Sequence, residues 1–197
     1  HIPAQMNAFT HQAVFLYMLN QFGRAEENIK KALTLGEERR DRLSRYFWGH
    51  ANYQMATILV GMGHPKKALE YAQISLKATR LSRSPYNTIL PNSISGLAHY
   101  YLGEYEAGKN ISQKSIELAT QTDSRRMIGY ASAYAGFNDV ELASFGSAWK
   151  HAKKAVEIGE KQGHIEIVSF GYKIFGDIYS RLEAFPQSIQ AYQYSVD

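Results

Sequence analysis

The chain contains no cysteine. That excludes a disulfide framework, a thiolate zinc site and a cysteine nucleophile, and it fits a reducing, cytoplasmic setting. Strand-like alternation is missing as well: nowhere does a period of two persist for more than a few residues. Apolar runs are short. The longest, Ala56 to Met62, is broken by glycine and falls far below the roughly 18 residues of a membrane span. No charge of one sign dominates, since 22 Lys and Arg face 18 Asp and Glu with the signs interspersed, for a formal net charge of +4. Nucleic-acid-binding domains gather Lys and Arg on one face, so a nucleic-acid partner is not expected. His1-Ile2-Pro3 has no initiator Met and no signal-peptide pattern, and Tyr192 to Asp197 ends inside a helical pattern. Both features fit a segment excised from a longer protein. What the 197 residues do hold is 45% hydrophobic and 13% aromatic side chains, enough to build one core or one array of repeats.

A period of 40 residues organises the chain. Asn28, Ala68, Gly108, Ala148 and Ser188 form one column, mostly small. Twelve positions earlier stand Leu16, Ala56, Gly96, Gly136 and Gly176, again mostly small. Ala32, Ala72, Ser112, Ala152 and Tyr192 follow, and Leu76, Ile116, Val156 and Val196 are apolar in a further column. Each unit reads as two amphipathic helices, with breaks expected at Gly23, Gly63-His64-Pro65, Gly103 and Phe145-Gly146. Ser84-Pro85 and Asp123 read as helix starts. The expectation is an all-α array of ten helices in five antiparallel pairs, with units near 5–40, 41–83, 84–122, 123–162 and 163–197, in a single repeat domain over 1–197. Small residues 12 apart, on facing helices, mark where two helices approach closely.

Gly96, Gly103, Gly108 and Ser115, together with Leu19-Asn20-Gln21-Phe22-Gly23-Arg24-Ala25 and Tyr101-Leu102-Gly103-Glu104-Tyr105, resemble the pattern of the tetratricopeptide repeat (TPR) family. The period is 40 where the family has roughly 34, its expected late aromatic appears only as Tyr192, and its closing proline is missing. In this it resembles the long repeats attached to bacterial signalling ATPases and to transcription activators of the maltose-regulon type. The resemblance implies a right-handed superhelical α-solenoid and a non-catalytic module for protein or peptide partners, without cofactor or metal. The alternative it implies is an effector-sensing or regulatory segment of a larger signalling ATPase or transcription regulator, in contact with its own neighbouring domains. First helices line the concave face in that family. Here those positions place Tyr17, His50, Tyr53, Tyr101, Tyr130, Tyr134, Phe137, Lys173, Asp177 and Arg181 in a Tyr-rich groove. The family's carboxylate-clamp subset uses Lys, Asn and Arg at such places, matched only by Lys173 and Arg181. A solenoid cut short exposes apolar ends, through which copies of the chain are expected to pair.

Catalytic and metal-binding patterns are weak. Gly103-Glu104-Tyr105-Glu106-Ala107-Gly108-Lys109-Asn110 follows a phosphate-binding loop until Asn110, where a Ser or Thr is required, and it follows a helix where a buried strand is required. The seven histidines show no metal-ligand spacing, and His164-Ile165-Glu166 lacks the cysteine pair of a zinc deaminase. Ser93, Ser95 and Ser132 carry no nucleophile-elbow motif. Asp139 and Glu141, two apart on a helix, point to different faces. Arg39, Arg40, Arg42 and Arg45, mixed with Glu37, Glu38 and Asp41, read as a solvated junction between units.

Overall fold

A computed structural model of the chain describes residues 1–80 and 86–196. Ser84-Pro85, read as a helix start, lies outside the described residues. Among these residues there are ten α-helices and no strand: α1 Ile2–Met18, α2 Phe22–Gly36, α3 Arg42–Gly61, α4 Pro65–Arg80, α5 Tyr86–Leu102, α6 Tyr105–Gln121, α7 Arg125–Glu141, α8 Phe145–Gln162, α9 Ile165–Arg181 and α10 Phe185–Val196.

One kind of turn recurs along the chain. At Asn20, Gly63, Gly103, Asp123, Ala143, Gly163 and Glu183 the backbone enters the left-handed region, with φ between 48 and 76°. The next residue then donates its N–H to a carbonyl five residues back, as Gln21 does to Leu16, Ser144 to Asp139 and Ala184 to Tyr179. This satisfies carbonyls left open at the helix end. From Gly103 to Glu183 the left-handed residue returns every 20 positions, at 103, 123, 143, 163 and 183. Only three of the seven are glycine.

Three sequence-based turn assignments therefore shift. The first unit turns at Asn20, because asparagine tolerates the left-handed conformation, and Gly23 sits in the first turn of α2. The fourth turns at Ala143, with Gly146 likewise inside α8. Asp123 is itself a turn residue, and Ser124 precedes α7. At α3 the entry is capped: the Asp41 carboxylate accepts the N–H of Ser44 at 2.9 Å. That contact satisfies one of the four open donors of the helix start and holds the Asp41 carboxyl below its ordinary range.

The chain divides into two compact units, His1–Ala98 and His99–Asp197. In the N-terminal unit α1 packs on α2 and α3, and α3 on α4. Met6, Ile29, Met55 and Ile58 are wholly buried there, beside the small residues Ala13, Ala32, Ala56, Ala68 and Ala72. In the C-terminal unit the helices pack in sequence from α6 to α10, and α7 also reaches α9. Every residue from Ala131 to Val140 in α7 is buried.

Close crossings fall on the small columns. The Ser188 hydroxyl donates to the Gly176 carbonyl at 2.9 Å, across the 12-residue offset. A Cβ on Gly171 would lie 3.0 Å from the Ala152 carbonyl oxygen and 2.5 Å from the Val156 side chain. A Cβ on Gly108 would meet the Asn138 amide, itself held by the Tyr134 carbonyl at 2.7 Å. Gly108 is thus explained by packing, and Lys109 beside it ion-pairs with Asp139, so the phosphate-loop pattern marks two helices in contact.

Candidate binding surface

In the C-terminal unit α7 and α9 run side by side, in register with the 40-residue period. Tyr130 and Phe170, 40 apart, have ring centroids 6.5 Å apart, and Tyr134 and Phe170, 36 apart, 6.0 Å. Phe137 meets Phe170 edge-on at 5.7 Å and Tyr100 at 5.5 Å. Tyr100 in turn packs on Tyr101 and Tyr105. Seven rings thus form a continuous aromatic cluster. Tyr134 and Phe137 lie almost wholly within it, whereas Tyr101 is 59% exposed.

Ion pairs border the rings. Lys173 Nζ sits 5.1 Å from the Phe137 centroid and 2.8 Å from Asp177 Oδ2. Asp177 Oδ1 accepts the Tyr192 hydroxyl at 2.7 Å. Arg181 pairs with Glu141 at 2.7 Å, and the two are 40 residues apart. Arg126 lies over the Tyr130 ring, whose hydroxyl donates to Glu166. Lys173 and Arg181 each have an anion, so their charges are compensated.

The phenols remain protonated donors at neutral pH. Burial, with Asp177 and Glu141 adding to it, pushes Tyr100 up to about 12. Burial also raises Tyr130, reinforced by the Glu166 carboxylate, and takes Tyr192 to about 12 together with its bond to Asp177. The cluster thus combines stacked rings, hydroxyl donors and compensated charges.

A second polar group lies behind it. The Asp139 side chain is wholly buried, with Oδ1 2.7 Å from Lys109 Nζ and Oδ2 3.0 Å from His151 Nδ1. Burial alone would raise its pKa; the bonds from His151, Lys109 and Ser147 outweigh that and lower it. The carboxylate ties α6, α7 and α8 together. Sequence reasoning missed this cluster, although its 139/151 offset repeats the 12-residue spacing of the small columns.

Neither a protein-family model nor a curated protein matches the chain. Solved structures do. A Rap protein in complex with competence and sporulation factor superposes with a TM-score of 0.81, at 16% identity, over 98% of this chain and 53% of its own. The TPR-like repeats of a putative kinesin light chain from Podosopora anserina superpose with a TM-score of 0.69, at 10% identity, over 98% of this chain and 96% of theirs. The fold is a TPR-like helical repeat. A signal-transduction ATPase with a tetratricopeptide repeat sensor from Pyrococcus horikoshii matches with a TM-score of 0.67, at 14% identity. That match covers 99% of this chain and 33% of the ATPase, so the chain spans about half of the Rap protein and a third of the ATPase.

On this TPR-like fold the sequence-derived positions all fall on first helices of the pairs. Tyr130, Tyr134 and Phe137 join the ring cluster, with Lys173 and Asp177 at its border, Arg181 on Glu141, and Tyr101 reached through Tyr100. In the N-terminal unit Tyr17 packs against Phe22 at 5.5 Å and against Gly61, while His50 lies 5.9 Å from Tyr53. Burial, with the nearby His11 second, lowers the His50 pKa to about 4, so the imidazole is neutral. The arginine-rich junction behaves as a solvated link: Arg40 donates to its own loop's carbonyls and Arg45 lies over Trp48. Among the described residues no three His, Asp or Glu are placed to hold a metal ion, and no helix is long and apolar enough to cross a membrane.

Proposed function

We propose that the chain is a non-catalytic interaction module, and that the α7/α9 side of its C-terminal unit receives a peptide or a segment of a partner protein. The observation that carries this reading is the aromatic cluster with its border of compensated ion pairs. Tyrosine offers a large, rigid contact area with a polar tip, and such residues concentrate binding energy. A ligand that displaces Lys173 from Asp177, or Arg181 from Glu141, finds a charge of either sign already oriented. Tyr17, His50 and Tyr53, at matching first-helix positions of the N-terminal unit, belong to the same proposal. The likeness to a Rap protein that carries a bound factor supports it.

A randomised decapeptide display selection against the whole chain tests this reading. The expected result is an enriched sequence whose binding is lost in Lys173→Glu/Arg181→Glu and weakened in Tyr101→Ala. These side chains are at least half-exposed or at the border, so the variants keep their helicity. Selection of nothing, or of peptides indifferent to all three changes, overturns it. A second reading, the sensing segment of a larger regulator, is favoured by the likeness to the repeat sensor of the ATPase. It predicts that a small effector, and no peptide, raises the thermal stability of the chain.

A further inference from the structure

A second aromatic cleft lies on a different side of α9. Tyr172, Phe175 and Tyr179 step along that helix at offsets of three and four, whereas Phe170, Lys173 and Asp177 form the other stripe. At 100° per residue, Phe175 is rotated about 200° from Lys173. With Trp149 of α8 and with Gln190 and Tyr194 of α10, the three rings line a cavity of about 270 Å3. The indole of Trp149 is 4.5 Å from the Phe175 centroid and 5.8 Å from Tyr179, and Tyr172 is 5.3 Å from Tyr194. Trp149 is 40% exposed and Tyr194 52%, so the cleft is open to a ligand.

Two properties select its occupant. None of the lining residues carries a formal charge at neutral pH. Among the described residues no hydrogen bond engages the Trp149 N–H or the hydroxyls of Tyr172 and Tyr179, and Tyr194 receives only a 3.5 Å contact from Gln190. The cleft therefore offers ring faces and unengaged donors without charge. A helical ligand hides its backbone carbonyls in its own hydrogen bonds, and a charged peptide finds no counter-ion. A polyproline II segment differs on both counts: its carbonyls are unbonded, its proline rings are apolar, and its turn of three residues advances about 9.3 Å. Tyr172 and Tyr179, seven residues apart on a helix, are about 10.5 Å apart along the axis. Successive proline ridges thus match the spacing of the tyrosine rings, as in other aromatic-lined grooves that take proline-rich chains.

We propose that this α8/α9/α10 cleft binds an uncharged, proline-rich segment in the polyproline II conformation. The proposal does not rest on the α7/α9 reading. Fluorescence polarisation of the whole chain with fluorescein-labelled decaproline tests it, against a labelled Gly-Ser decapeptide of equal length. Saturable binding of decaproline alone is expected, weakened about tenfold in Trp149→Ala and several-fold in Tyr172→Phe/Tyr179→Phe. The double phenylalanine variant keeps every ring and removes only hydroxyls, so it decides the matter if Trp149→Ala loses its helicity. Lys173→Glu leaves decaproline binding unchanged. The proposal is overturned if decaproline does not saturate, if the double variant binds as the parent does, or if Lys173→Glu abolishes binding.

Discussion

Two residues are held in a backbone conformation that suits glycine and not themselves. Ala143 (φ 53°) and Glu183 (φ 58°) occupy the left-handed turn position that Gly63, Gly103 and Gly163 fill elsewhere. A residue with a Cβ loses about 1–2 kcal/mol there. Glycine is more disordered in the unfolded chain, which returns about 0.5–1 kcal/mol of that difference. Ala143→Gly and Glu183→Gly are therefore each expected to stabilise the C-terminal unit by about 0.5–1 kcal/mol, and the two together by about 1–2, since they sit in separate turns. For a unit of this size that is a rise of several degrees in Tm. Urea unfolding read by Trp149 fluorescence, in a Trp48→Phe background, isolates the unit. The midpoint moves up with the slope unchanged. The opposite substitution has the opposite sign: Gly103→Ala and Gly163→Ala lower the midpoint. Three positions after two of the turn residues, Gly23 and Gly146 lie in helical first turns with open space around them, so alanine there is neutral or favourable. A fall in stability on Ala143→Gly, with Gly163→Ala harmless, would refute the turn geometry.

Gly171→Ala forces a Cβ against the Ala152 carbonyl and Val156, so a loss of about 1–3 kcal/mol is expected in the same unfolding assay. Asp139→Asn leaves Lys109 and His151 without their carboxylate and costs about 2–3 kcal/mol at neutral pH. Because the folded carboxyl titrates below its ordinary 3.8, that stability is complete above pH 4 and fades as the pH falls through the lowered value. The gap between parent and variant should accordingly close in acid, and a constant gap would contradict it. His50 works over a higher range: the unfolded chain takes up the proton near pH 6.5, the folded one only near 4. The N-terminal unit then loses up to about 3 kcal/mol on acidification from pH 6.5 to 4, read by Trp48 fluorescence, and His50→Gln flattens that slope.

Much of the fold was legible because packing writes itself into residue size. The columns at Ala68, Ala148 and Ser188, with Ala56, Gly136 and Gly176 twelve residues earlier, are close crossings, and the period exposes them without any motif. The turns were harder to read. Glycine marks only three of them: Asn20 and Asp123 tolerate the left-handed conformation through their side chains, whereas Ala143 and Glu183 adopt it through the hydrogen bonds of the helix end, which no side chain announces. At the candidate surface the ring positions of α7 and α9 follow from register, since Tyr130 and Phe170 share a column. Their burial does not: Tyr134 and Phe137 lie within the cluster because α7 is packed by α6, α8 and α9 at once. The Lys109–Asp139–His151 group escaped for a related reason, as its members come from three helices and look like solvated charges in their own.

The regular spacing of the turns bears on how the length of such a gene can change. Removing residues 123–162 joins Thr122 to Gly163, so one left-handed residue replaces another and α9 follows α6 as α7 did. Removing only 123–142 also joins two turns, but it brings α8 to the place of α7. Lys150, Lys153, Lys154 and Glu157, all exposed where they are, would then enter a position buried on every side. Duplication and loss are accordingly neutral to the architecture in steps of 40 residues and ruinous in steps of 20, although the backbone accepts both equally well.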